Sequence, residues 1–163
     1  MHVHIQGDDQ ALARLGTTPA AVFDVVERVV GGSGASLMLL IYLVPGPGWD
    51  AVCHHRWFRP EDLHNGTVPA LPDRFRVIRV AMGQNTYPHE SIDAYGWQWY
   101  FGTFLDHLAA VVAHEMYHST QPHFARYRCN DEWDANASAL RHVTDLGFQV
   151  AARAPRRGVR AHG

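Results

Sequence analysis

The sequence predicts a single α+β domain, in which one helix and several strands come before two longer helices near the C-terminus. The chain has 163 residues, of which 47% are apolar and 18% are charged. This length is typical of one domain, and this apolar content is sufficient for a hydrophobic core. Short apolar runs lie between segments whose apolar residues recur at helical spacing. Strands and helices that follow each other in blocks are typical of α+β architecture.

The first predicted helix begins after Thr17-Thr18-Pro19 and ends at Gly31-Gly32. A threonine hydroxyl can accept a hydrogen bond from a backbone N–H that the first turn leaves unpaired. Proline is common in that turn because it has no N–H of its own and its φ angle suits a helix. The apolar residues between these signals therefore predict one amphipathic helix.

Three short apolar runs bounded by turn residues predict strands. They lie at 35–44, 51–58 and 75–81. The stretches 60–72 and 82–91 have the composition of loops. A further strand is predicted where aromatic residues occupy alternate positions, because alternate side chains of a strand share one face. This face either covers the core or lines a substrate site, and its residues are Tyr95, Trp97, Trp99 and Phe101.

Two helices are predicted in the C-terminal half of the chain. The first begins at Thr103, which together with Asp106 has the spacing of a capping box. The second runs from Asp131 to about Leu146. From Ala151 the chain becomes rich in arginine and alanine. We therefore predict a domain over 1–150 and a disordered, Arg-rich tail over 151–163.

Composition excludes several classes of protein. The formal net charge of −2 is unlike the strongly basic balance of a general nucleic-acid binder, so the only predicted contact with nucleic acid is through the Arg-rich tail. No apolar run reaches the 18–20 residues that span a bilayer, and the N-terminus lacks the pattern of a secretory signal. We therefore expect a cytoplasmic protein that does not associate with membranes.

The first of the two C-terminal helices carries the pattern H-E-x-x-H, from His114 through Glu115 to His118. Two histidines four residues apart project from the same face of a helix, so their ring nitrogens can bind one metal ion. Zinc suits imidazole ligands and makes a nearby water acidic enough to lose a proton at neutral pH. Glu115 is then the candidate catalytic base.

A catalytic zinc needs a third protein ligand, and Glu132 is the best candidate. Asn136 follows it by four residues on the same helical face, so that its side-chain oxygen can accept a hydrogen bond from His114. A third histidine at the spacing typical of metzincins would stand at position 124, which is Phe124. Asp131 and Asp134 remain as minor alternatives.

H-E-x-x-H followed by E-x-x-A-N-x-x-A resembles the gluzincin metallopeptidases, most of all the small ImmA/IrrE-type members. The resemblance covers about residues 105–142. It implies a single Zn²⁺ held by His114, His118 and Glu132, with Glu115 as the catalytic residue and Asn136 behind His114. It also implies a zincin-like fold, in which a small antiparallel or mixed sheet packs on the two metal-bearing helices.

The expected function is hydrolysis of peptide bonds in a peptide or protein substrate. The resemblance implies a regulatory protease of the kind that phages or mobile elements encode. The alternative is a non-catalytic binding or virion-assembly protein that keeps a zincin scaffold stabilised by zinc. A hydrolase also needs a hydrogen-bond donor for the charge that develops on the carbonyl oxygen. The candidates for this role are His123, Tyr127 and His142.

Overall fold

The structure is a computed structural model that describes residues 2–6, 9–31, 37–42, 51–53, 58–62, 75–82, 85–120 and 129–155. Its helices are α1 (Asp9–Arg14), α2 (Pro19–Val30), α3 (Phe104–Thr120) and α4 (Cys129–Asp145). Its strands are β1 (His2–Gln6), β2 (Leu37–Tyr42), β3 (Ala51–Cys53), β4 (Arg76–Ala81), β5 (His89–Ile92), β6 (Gln98–Phe101) and β7 (Val150–Arg153). These elements confirm the α+β class.

The larger sheet has four strands in the order β1-β2-β4-β3. β1, β2 and β4 are parallel, and β3 pairs with β4 in the antiparallel sense at one edge. The sheet is therefore mixed, which is one of the two forms that the family resemblance implies, and most of its pairing is parallel. The physical reason is the crossover through α1 and α2, which returns the chain to the same end of the sheet before β2 starts.

The smaller sheet has three antiparallel strands in the order β5-β6-β7. The sequence prediction is wrong for two of its strands. β5 begins inside the stretch 82–91, which had the composition of a loop, and β7 includes residues 151–153 of the predicted tail. Both strands are short edge strands that pair with β6 through main-chain hydrogen bonds. Such pairing does not depend on the side chains, so the composition gives no signal of it. Residues 156–163 lie outside the described part of the chain.

The aromatic stripe of β6 packs in the core. Trp97, Trp99 and Phe101 are buried, whereas Tyr95 lies in the turn before the strand and is 41% exposed. Trp97 stands edge-on to Trp133 of α4, and Phe101 stacks on His107 of α3. The smaller sheet therefore covers α3 and α4, as the core interpretation of the stripe predicts.

The ends of the helices follow the expected local chemistry. The Thr18 hydroxyl accepts a hydrogen bond from the Ala21 N–H at the start of α2, which ends at Gly31. At the start of α3, the Thr103 N–H donates to the Asp106 carboxylate and the Asp106 N–H donates to the Thr103 hydroxyl. This reciprocal pair is the predicted capping box, and it sets where α3 begins.

The second predicted strand is shorter than expected. β3 covers only Ala51–Cys53, and residues 54–57 lie outside the described part of the chain. Phe58 forms an isolated antiparallel bridge with Phe75. Within the described ranges, no helix combines the length and the apolar character that crossing a bilayer requires.

Candidate metal centre

Three predicted ligands meet where α3 and α4 pack together. His114 and His118 lie one turn apart on α3, and Glu132 lies in the first turn of α4. The Nε2 atoms of the two histidines are 3.1 Å apart. The Glu132 carboxylate oxygens lie 3.1 Å from the Nε2 of His114 and 3.4 Å from that of His118. Residues that are up to 18 positions apart in the chain thus place their ligand atoms within 4.8 Å of one another.

These distances fit a tetrahedral zinc site. Ligand atoms at the usual 2.0–2.1 Å from zinc lie about 3.3 Å from each other in a tetrahedron. Two imidazole nitrogens that face each other at 3.1 Å would repel as lone pairs, and a cation between them removes that repulsion. The donor set of two imidazoles and one carboxylate is also one that zinc favours. The residues present therefore fit the ion that the sequence predicts.

The ligand group is polar, and two of its three members are buried. His118 is 1% exposed, and Glu132 and Glu115 are each 6% exposed. Burial acts to raise the pKa of Glu132, but the hydrogen bonds and positive charge that His114 and His118 supply when they are protonated, in the absence of a metal ion, outweigh it and hold this pKa below its ordinary value. Glu132 is therefore ionised at neutral pH, the form in which a carboxylate binds a metal.

Asn136 occupies the predicted place behind His114. The Nδ1–H of His114 donates to the Asn136 side-chain oxygen at 2.8 Å. The Asn136 amide is almost fully buried. A partner at Nδ1 orients the imidazole and leaves the Nε2 lone pair facing the ligand group.

Sequence reasoning missed Asp93, which lies directly after β5 and contacts Asn136. The Asn136 Nδ2–H donates to the Asp93 carboxylate at 2.8 Å. The same carboxylate accepts hydrogen bonds from the Tyr95 and Trp97 backbone N–H groups and from the Trp99 indole. The segment from Asp93 to Gly96 carries the sequence signal of a turn. No signal in the sequence connects that turn to Asn136, which is 43 residues away.

Other predicted candidates lie apart from the ligand group or outside the described residues. His142 lies in the last turn of α4, where its Nε2–H donates to the Val29 carbonyl. It is ten residues beyond Glu132, or about 15 Å along the helix axis. Asp134 is exposed and is not in the group. His123 and Tyr127 lie outside the described residues, as does the side chain of Asp131.

His107 also lies on α3, two turns before His114. It is 1% exposed and hydrogen-bonded to the Tyr87 hydroxyl at 3.0 Å, and it is not a member of the ligand group. Stacking on Phe101 places it in the core instead.

Comparison of this chain with protein-family models, curated proteins and solved structures finds no match.

Proposed function

We propose that this protein is a zinc-dependent metallopeptidase. His114, His118 and Glu132 would hold one zinc ion, and Glu115 would act as the catalytic base. The observation that carries the proposal is the convergence of these three ligand atoms, together with a buried glutamate that directly follows His114 in the sequence of α3. Among the described residues the group offers three protein ligands, the number usual for a catalytic zinc.

The chemistry follows from the residue types at the site. Zinc bound by three protein ligands supplies a Lewis acid that polarises a carbonyl and lowers the pKa of water to about 7. Glu115 takes the proton from the attacking water and passes it to the leaving amine. A positioned general base or acid of this kind contributes about 10²–10⁴-fold to the rate. Asn136 keeps His114 oriented throughout.

A peptide substrate would bind in an extended form along an edge strand, by main-chain hydrogen bonds. Among the strands in the described part of the chain, β3 contacts α3 most extensively, and it lies at an edge of the larger sheet, so it is the proposed site of pairing. The resemblance to ImmA/IrrE-type proteins favours a regulatory protein as the substrate. The alternative, a non-catalytic protein stabilised by zinc, provides no role for the buried acid next to His114.

The test compares zinc content and peptide cleavage in the wild type and Glu115→Gln. The probes are a mixture of quenched fluorescent peptides and a metal analysis of the purified protein. We expect one zinc per chain in both proteins. Because the amide cannot accept the proton, cleavage should fall by about 10²–10⁴-fold in the variant. Glu27→Gln is the matched control, since Glu27 is an exposed residue of α2.

Three results would contradict the proposal, and each identifies a different error. Wild-type protein without zinc would contradict the metal site. Full cleavage by Glu115→Gln would exclude Glu115 as the base. Zinc in both proteins and cleavage by neither would favour the non-catalytic alternative.

A further inference from the structure

The carboxylate of Asp93 joins the turn between β5 and β6 to the metal-bearing helices. We propose that Asp93 is a positioning residue for His114 and acts through Asn136. The inference rests on the metal site of the proposed function but does not depend on peptide cleavage. Its basis is a continuous series of hydrogen bonds from Asp93 through Asn136 to His114, in which both links are 2.8 Å long.

The direction of these hydrogen bonds follows from Asp93. An ionised carboxylate can only accept, so Asn136 must turn its Nδ2–H₂ group toward Asp93. The Asn136 oxygen then faces His114 and can only accept as well. His114 must therefore carry its proton on Nδ1, which leaves the Nε2 lone pair free for the metal. Without an acceptor at position 93, the Asn136 amide could rotate by half a turn and present a donor to His114.

Asp93 is itself held firmly. One carboxylate oxygen accepts from the Tyr95 and Trp97 N–H groups at 2.9 and 3.0 Å. The other accepts from the Trp99 indole at 3.1 Å as well as from Asn136. Trp97 and Trp99 are buried in the core under the smaller sheet. The acceptor that orients Asn136 is therefore fixed by a packed element outside the two metal-bearing helices.

The experiment first replaces the acceptor that Asp93 offers to Asn136 by a donor, and then restores the series of hydrogen bonds with a second substitution. Asp93→Asn keeps an oxygen for the Tyr95 and Trp97 N–H groups, so the turn retains its main-chain hydrogen bonds. The introduced amide, however, presents a donor to Asn136. Combining it with Asn136→Asp restores an acceptor opposite that donor and a second acceptor opposite His114. Zn²⁺ affinity, measured by competition with a chelating dye, and the Co²⁺ absorption spectrum are recorded for both single variants and the double variant.

We expect Asp93→Asn to lower Zn²⁺ affinity by about 10–100-fold, the usual effect of losing a partner behind a metal ligand. The double variant should recover most of this loss and a Co²⁺ spectrum like that of the wild type. The Asn136→Asp variant alone places two carboxylates opposite each other and should also bind Zn²⁺ more weakly, so the full cycle isolates the coupling between the two positions.

Two controls separate positioning from a purely structural role. Phe101→Leu removes buried aromatic packing under the smaller sheet but no hydrogen bond of the series, so it should lower thermal stability while leaving Zn²⁺ affinity unchanged. The Trp99 indole, by contrast, donates directly to the Asp93 carboxylate. Both variants with asparagine at position 93 lose the acceptor for that indole. The thermal stability of the metal-free protein should therefore fall by a similar amount in both. Unchanged Zn²⁺ affinity in Asp93→Asn would overturn the proposal, as would an equal loss in the double variant.

Failure of this inference can be distinguished from failure of the proposed function. Wild-type protein that binds Zn²⁺ but cleaves no peptide would overturn the peptidase proposal and leave the positioning role of Asp93 testable. Wild-type protein that cleaves peptides while Asp93→Asn binds Zn²⁺ normally would overturn only the role of Asp93.

Discussion

At the scale of single residues, identical side chains have different roles because their neighbours differ. His114 and His118 face a carboxylate across the contact between α3 and α4. His107 lies on the same helix but stacks on Phe101 and hydrogen-bonds to Tyr87. A ring two turns away cannot share an ion with His114, because seven residues span about 10.5 Å along the axis. The position of a histidine along α3 therefore determines whether it can bind the metal ion or packs in the core.

Glu132→Gln should lower Zn²⁺ affinity by more than the 10–100-fold or so that loss of an outer partner causes. The variant removes the negative charge and replaces a carboxylate ligand by a neutral amide. The measurement is competition with a chelating dye. Asp134→Asn, an exposed position two residues further along α4, is the control for loss of charge. Equal affinity in the wild type and Glu132→Gln would exclude Glu132 as the third ligand.

At the scale of elements, the close approach of α3 and α4 depends on small residues. Buried alanines lie on both helices, namely Ala109, Ala110, Ala113, Ala135 and Ala139. Small side chains such as those of Ala135 and Ala139 let the two helix backbones approach each other closely. The capping box sets the start of α3, and the other oxygen of Asp106 accepts from the Gln149 N–H just before β7. The positions of His114, His118 and Glu132 relative to one another therefore depend on the distance between α3 and α4.

Ala135→Leu should move α4 away from α3, because the alanine side chain is fully buried. Overpacking of this kind costs about 1–3 kcal/mol of unfolding free energy. It should also weaken Zn²⁺ binding, since Glu132 lies one turn before the substitution. Denaturant unfolding and dye competition measure the two effects. Ala20→Leu, at an exposed position of α2, should change neither, and unaltered Zn²⁺ binding in Ala135→Leu would contradict this account of the interface.

At the scale of the whole molecule, α3 connects two hydrophobic cores. One core contains α2, the four-stranded sheet and residues of α3, such as Leu108 and Val112. The other contains the three-stranded sheet and Ala110 of α3, with Trp133 of α4 packed against it. Since His114, His118 and Glu132 bring α3 and α4 together at one point, metal binding should stabilise the protein as a whole.

Adding Zn²⁺ to metal-free protein should raise the melting temperature. A ligand at about 100 times its Kd adds about 2.7 kcal/mol of stability, which corresponds to roughly 5–10 °C for a domain of this size. Differential scanning calorimetry with and without a chelator measures the shift. His118→Ala should abolish the shift, whereas His4→Ala, an exposed position of β1, should retain it. A shift that persists in His118→Ala would show that Zn²⁺ stabilises the protein at another place.

Predictions from the sequence were most accurate where the determining interactions are local. α2 and α4 begin and end within two residues of the predicted bounds, and the capping box sets the start of α3 as expected. These signals involve residues within about one turn of each other. β5 and β7 were missed because each is a four-residue edge strand, whose pairing depends on a distant partner.

The sequence by itself determined the spacing of the candidate site: two histidines one turn apart, a glutamate on the next helix, and an asparagine one turn beyond it. Helical periodicity is a local property, so the spacing alone places His114 beside His118 and Glu132 beside Asn136. Only the tertiary structure decided that Asp93 lies behind Asn136 and that His142 contacts α2. These contacts join residues 43 and 113 positions apart, and they form only when whole helices and sheets pack together.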